Sequence, residues 1–346
     1  MDETIEKRKF ESWYNKNYKK LLLIPLILIL LSFSYIGYFY FQNNDFINKD
    51  VSLTGGTTIT LFTNNININD FRDSLSQKIT DFSIRELSDF RTGEQQAIVI
   101  ESPLEETQLK PLIEDITGYQ LNSENSTIEF SGSTLSENFY KQLIYAIILS
   151  FSFMAIVVFF IFGGSNKIKA LSIFLTLIPI ILFFSRLINV NIAIILNLIV
   201  LLINSFFYFK QSIPSIVVVL SAFADILMTL ALVDFFNLKL SSAGIIAFLM
   251  LIGYSVDTDI MLTTRLLKRR EDKLDTRLFN AFKTGITMTL TSISAIGVAL
   301  LLTYSFSNIL GQIFTILLIG LGFDLINTWI TNASLLKWYL ENENRN

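Results

Sequence analysis

Long apolar runs dominate the chain and are broken by a single extended polar stretch. The runs lie at 21–41, then at about 141–162, 170–186, 190–209, 213–236, 241–263, 283–304 and 308–332. About 20 apolar residues, rising about 1.5 Å each as a helix, cross a ~30 Å hydrocarbon layer. The pattern therefore predicts a membrane α-helical bundle with eight apolar segments. The run 170–186 is short and holds Pro179. For residues 163–212 a kinked or re-entrant hairpin is thus the alternative to two full spans, and both return the chain to the same side. The first run exceeds the h-region of a signal peptide, about 7–15 residues, and no A-x-A site follows it, which predicts an uncleaved anchor.

The polar stretch, 42–140, has a different periodicity. Strands are predicted at Thr57–Phe62, Ser83–Arg91, Gln96–Glu101 and Thr127–Phe130, where apolar and polar residues alternate or β-formers cluster. Helices fit Asn69–Ile79, with Asn69 as N-cap, and Leu104–Thr117, with Pro103 at the start. The order strand-helix-strand-strand-helix-strand is that of a ferredoxin-like α+β domain. At its entry Thr54, Gly55, Gly56 and Thr57 stand in sequence. The glycine pair suits a bulge, a close backbone approach or a hinge.

Charge orients these segments. Residues 1–20 hold six Lys/Arg, three of them in the five positions before Leu21. The loop 264–282 carries most of the charge of the C-terminal half. The positive-inside rule places the N-terminus, this loop and the 337–346 tail in the cytoplasm, leaving Arg186 as an exception at an outer end. The 42–140 domain then lies outside, with sixteen Asp/Glu against six Lys/Arg. The bundle occupies 141–336 together with the 21–41 anchor, in the cytoplasmic membrane. Only 16% of residues are charged, against about 25% in soluble domains, which argues against a water-soluble enzyme. Cysteine and histidine are absent. Disulfides, the usual zinc sites, thiol nucleophiles and His-based acid–base chemistry drop out with them. No Gly-x-x-x-x-Gly-Lys loop occurs, and the net charge of −3 points to no nucleic acid. Neither a cofactor nor a nucleotide is expected.

Four carboxylates fall inside apolar runs: Asp225, Asp257, Asp259 and Asp324. A charge at the bilayer centre costs at least ~2.5–3.5 kcal/mol, so such residues are functional candidates, with static interhelical hydrogen bonding as the plain alternative. Arg265 follows Asp257 by eight residues, just over two turns, on nearly the same helix face. Asp225, Asp257 and Arg265 are therefore expected to form an ion-coupling cluster, with Asp259 beside it. Asp234, near a helix end, is read as solvated. Thr284, Thr287, Thr291 and Ser294 recur at spacings of three, four and three. With Asp324 they suit a polar path past the carboxylates, or close helix packing with hydroxyls bonded back to their own backbone.

Four segments resemble the SecF family of the SecDF complex in its archaeal form. They are VSLTGGTTI (51–59), SAFADI (221–226), LIGYSVDTDIMLTTRLLKRR (251–270), and FKTGITMTLTSISA (282–295) with LGFDLINTWITNASLLKWYL (321–340). The second and third, in that order, are the specific part. In the bacterial pattern Asn stands at Asp257, Asp at Thr258 and Asp at Thr264. The family also has six spans, and 163–212 supplies two extra runs. The resemblance implies an RND-type half-transporter in the membrane lipid. It would pair with a SecD-like subunit, associate with the SecY/SecE-type Sec channel, and use an ion gradient to help a translocating polypeptide cross. It implies no enzyme. A different proton-coupled exporter of lipids or small solutes, or a membrane scaffold, is the competing expectation.

Overall fold

The structure, a computed structural model, describes residues 14, 16–63, 66–89, 91–268, 273–305 and 307–343. Residues 1–13 of the basic N-terminus, 269–272 of the charged loop and 344–346 of the tail lie outside the described residues. Among the described residues, eight helices are long and apolar enough to cross a membrane.

Helix α1 (Leu23–Asn43) continues the first span, which begins at Lys16, and ends on Asn44 in left-handed conformation. A short α2 (Val51–Thr54) leads into the sheet domain. Its elements are β1 (Gly56–Phe62), α3 (Ile68–Ser76), β2 (Ser83–Ser88), β3 (Gln95–Ser102), α4 (Glu106–Thr117) and β4 (Ser126–Ser131). The strands pair antiparallel in the order β2-β3-β1-β4, the ferredoxin-like arrangement expected from the element order. Alternation decides the faces. Ile59 and Leu61 of β1 join Ile98 and Ile100 of β3 in a core closed by Leu75 of α3 and by Leu109 and Ile113 of α4. Two expected helix starts move. The cap of α3 is Asn67, whose side chain accepts from Asn69 N–H, and α4 begins at Glu106, past Pro103.

The remaining spans are α5 (Ser133–Phe162), α6 (Asn166–Phe184), α7 (Val190–Gln211), α8 (Ile213–Phe235), α9 (Ser242–Lys268), α10 (Leu274–Thr303) and α11 (Asn308–Ile326). A π turn over Asn327–Asn332 and α12 (Ala333–Glu343) then extend α11. Helices α8, α9 and α11 pack on one another at the centre; α10 closes over α9 and α11, and α1 lies against α8. The additional pair α6–α7 packs on α5 and α8. Its seam is polar: Asn197 donates to Tyr145 OH at 3.1 Å, and Asn204 to Thr176 Oγ1 at 3.1 Å. Between apolar helices such bonds supply orientation that lipid-like side chains do not.

The sheet domain is bolted to the bundle. Leu240, in the α8–α9 turn, exchanges backbone hydrogen bonds with Asn48 and Asp50, and Ser52 Oγ accepts from Ser242 N–H at 3.0 Å. From β2, Arg85 donates to Asn308 at the start of α11 (2.5 Å), and Ser88 N–H to the Ser305 carbonyl (2.7 Å). The turns of both central helical hairpins, α8–α9 and α10–α11, thus grip the domain.

Candidate functional site

Asp225 projects from α8, Asp259 from α9 and Asp324 from α11, and all three are fully buried. Side chains that donate to them make this tolerable, because a buried polar group keeps its desolvation cost unless it is bonded. Ser255 donates to Asp225 Oδ2 at 2.5 Å, and Asn327 Nδ2 to Asp225 Oδ1 at 2.7 Å. Asn332 Nδ2 donates to Asp259 Oδ1 at 2.7 Å. The Thr328 hydroxyl lies 3.0 Å from Asp259 Oδ1 and 3.1 Å from Asp324 Oδ1. It has one proton for two carboxyl groups. Oδ2 of Asp259 and Oδ2 of Asp324 are buried without a partner. The basic side chains that next follow Asp259 and Asp324 in sequence are engaged elsewhere, Arg265 with α10 and Lys337 with Asp275. Such a group of carboxyls can hold, share and release protons.

The π turn positions these donors. A π turn carries one residue more per turn than the α-helix it interrupts and is frequent at functional sites. Here it presents Asn327, Thr328 and Asn332 to three carboxyls on three helices, with Thr331 Oγ1 donating to Asn327 Oδ1 at 3.1 Å. Sequence reasoning passed over Ser255, Asn327, Thr328 and Asn332. The signal was present in NTWITN, four amide and hydroxyl side chains within an apolar run.

Of the expected coupling residues, Asp225, Asp259 and Asp324 come together, and Asp257 and Arg265 do not join them. Asp257 precedes Asp259 by two residues, about 200° around the helix, and is exposed on the outer face of α9 with Gly253 and Tyr254. Arg265 Nη1 donates to the Asn280 carbonyl at 2.9 Å and to Thr284 Oγ1 at 2.8 Å, tying α9 to α10. The hydroxyl stripe follows its plainer reading. Thr284, Thr287, Thr291 and Ser294 donate to the carbonyls of Asn280, Lys283, Met288 and Leu290. The last three face outward, away from the carboxyl cluster. Asp234, expected in solvent, is buried at 1% exposure, and its Oδ1 accepts from Asn48 N–H.

The glycine pair has a steric explanation. A Cβ on Gly55 (φ +88°) would stand 2.4 Å from Ser133 Cα, and one on Gly56 (φ +137°) 2.3 Å from the Ser102 carbonyl. Here the entry to β1 passes against the β3–α4 and β4–α5 connections with no room for a side chain. Thr54 Oγ1 donates to the Asp50 carbonyl at 3.1 Å, and Thr57 Oγ1 to the Leu104 carbonyl at 2.7 Å.

Comparison with known proteins gives this architecture a family. Residues 184–342 match the family described as "Protein export membrane protein SecD/SecF, C-terminal". The chain is 34% identical to the protein-export membrane protein SecF of Methanocaldococcus jannaschii, over 94% of this chain and 96% of that one. It is 33% identical to that of Methanolacinia petrolearia, over 93% and 94%. The crystal structure of SecDF from Thermus, described as a translocon-associated membrane protein, superposes with a TM-score of 0.57 at 13% identity, covering 94% of this chain. SecDF in its super-membrane-facing form gives 0.50 at 16%, covering 95%. The chain spans only 38% and 39% of those two chains. The likeness shows the fold, a bundle of membrane-length helices with an α+β domain inserted after the first of them. With near-complete overlap at a third identity, the chain belongs to the SecF family of protein-export membrane proteins.

Proposed function

We propose that this chain pairs with a SecD-like subunit and that proton movement through the Asp225–Asp259–Asp324 cluster drives the pair's assistance to polypeptides leaving through the Sec channel. The cluster itself carries the reading: three buried carboxyls on three helices, in a chain without histidine, two of them, Asp259 and Asp324, sharing the Thr328 hydroxyl. One elementary charge crossing 100 mV releases about 2.3 kcal/mol, which is the scale of one or two hydrogen bonds rearranging.

The partner surface follows from what lies exposed at membrane depth. Asp257 on α9 and Thr287, Thr291 and Ser294 on α10 face outward. The Arg265–Thr284 bond sets the antiparallel register that brings these stretches level. An exposed carboxylate in hydrocarbon carries the cost given above, and a partner helix with polar groups removes it. Asp257 therefore acts in this reading as an interface residue. The sheet domain lies outside the cell and the charged α9–α10 loop inside, on the basic flanks.

The test is export by vesicles holding the complete SecD–SecF pair and the Sec channel, with and without a protonophore. A fraction of export is expected to need both the pair and the gradient. Export that depends on the pair equally in collapsed vesicles would overturn proton coupling. Failure of a SecD-like chain to co-purify would overturn the pairing.

A further inference from the structure

The π turn stays in place through a contact outside the carboxyl cluster. Trp329 lies at the middle of the turn, 7% exposed, with its ring edge-on to Phe282 of α10 at 5.2 Å. It fills a notch at Gly285: a Cβ there would stand 2.2 Å from Trp329 Cζ2, 2.8 Å from Cη2 and 2.9 Å from Met261 Cε. The notch takes an indole because position 285 has no side chain. Beyond the turn, α12 is held by buried Lys337, which pairs with Asp275 of α10 and lies 5.5 Å from the Tyr14 and Tyr18 rings. The middle of the turn and the helix beyond it are therefore tied to α10; Asn332 lies between these ties, and Asn327 and Thr328 come immediately before the first.

We propose that Trp329, seated in the Gly285 notch, is a positioning residue: it holds residues 327–332 in their π turn, and that turn sets the donors facing Asp225, Asp259 and Asp324. Resolving a π turn into α shifts the downstream register by one residue, about 100° of rotation and 1.5 Å of rise. That rotation takes Asn332 off Asp259 while Asn327, upstream, keeps Asp225. The coupling runs both ways, as any linkage between two sites must. A change at the carboxyls alters the pull on Asn327, Thr328 and Asn332, and so the seating of Trp329. The groups facing the cluster are Ser221 from α8, Ser255 from α9 and Asn327, Thr328 and Asn332 from the turn, alongside the three carboxyls themselves. The inference rests on the proton-coupling reading for its consequence, and on packing alone for its geometry.

The experiment uses the purified SecD–SecF complex and two readouts that need no export. One is the infrared carboxyl band followed against pH. The other is Trp329 emission, with Trp13 and Trp338 replaced by Phe. Gly285→Ala is expected to move the carboxyl midpoint by about one pH unit, the worth of one charge-assisted hydrogen bond. It should also change Trp329 emission. In the double variant Gly285→Ala/Trp329→Phe, the smaller ring admits the methyl group and the midpoint returns. A Gly285→Ala complex of lowered stability with an unchanged midpoint would overturn the proposal, as would a shift that Trp329→Phe does not reverse. Carboxyls that do not titrate in the unmodified complex would defeat the proton-coupling reading. The positioning claim then stands only if Asp259→Asn alters Trp329 emission, and falls if it does not.

Discussion

Replacing Asp259 separates the carboxyl as a hydrogen-bonding group from the carboxyl as a proton carrier. In Asp259→Asn the retained oxygen still accepts from Asn332 and Thr328, and the new amide nitrogen can donate to the buried Ser221 hydroxyl beside it, which has no other partner among the described residues. The stability cost is expected to stay below about 1 kcal/mol, because no existing bond is lost. Asp259→Ala strands the buried Asn332 amide, while Thr328 still reaches Asp324. One stranded donor costs about 1–3 kcal/mol, a five- to 150-fold rise in the unfolded fraction. Thermal unfolding of the purified complex should therefore rank wild type and Asn together, with Ala below them. Export in energised vesicles should rank differently: both variants lose the protonophore-sensitive part. Gradient-dependent export that survives Asp259→Asn would refute the reasoning, leaving the cluster a static tie between helices.

Three further outcomes are expected. Asp257→Leu should leave the chain inserted yet reduce recovery of a SecD-like partner in detergent, and full recovery would remove Asp257 from the interface. Gly55→Val, with Ser133 Cα at 2.4 Å and a φ of +88°, should lose protease resistance of the sheet domain in step with export. Export lost from a domain that remains resistant would point to a hinge instead. Desolvation raises the Asp50 carboxyl to about 6, against the pull of its hydrogen bond from Ser52. Its contribution to domain stability is then fully present below the ordinary carboxylate value, near pH 4, and is lost as pH rises through about 6. Asp50→Asn, which still caps α2, should flatten that part of the stability–pH curve, and an unchanged slope between pH 4 and 6 would contradict it.

Much of this molecule is legible in one dimension because its determinants are local. Eight helices follow from run length, since a chain in lipid must satisfy its own backbone. The ferredoxin-like domain follows from strand alternation and element order, because period-two patterning fixes which face of β1 and β3 is buried. The pair Gly55–Gly56 announces a tight backbone, and the structure supplies the atoms that demand it, Ser133 and Ser102. That carboxylates lie within the apolar runs is also readable, because a charge stands out there and is costly at membrane depth.

Which carboxylates meet is a different kind of fact. In a soluble helix a polar face marks the outside, but in α9 the exposed Ile246, Met250 and Tyr254 are large and hydrophobic like the buried Phe248, Leu251 and Ile252. Hydrophobic periodicity therefore carries no sign there, and Asp257 and Asp259 look equivalent in the chain. Only the packing of α9 against α8 and α11 turns Asp259 inward and leaves Asp257 on the surface. The same holds for the π turn. Nothing local in NTWITN forces an extra residue into that turn; the Gly285 notch on another helix accepts Trp329 and makes the turn pack. The sequence alone thus determined the number of long apolar helices, the domain inserted between them and the ionisable residue types present among them. The tertiary structure decided the partners, because interhelical contact in a membrane is set by shape and by sparse polar bonds rather than by hydrophobic pattern.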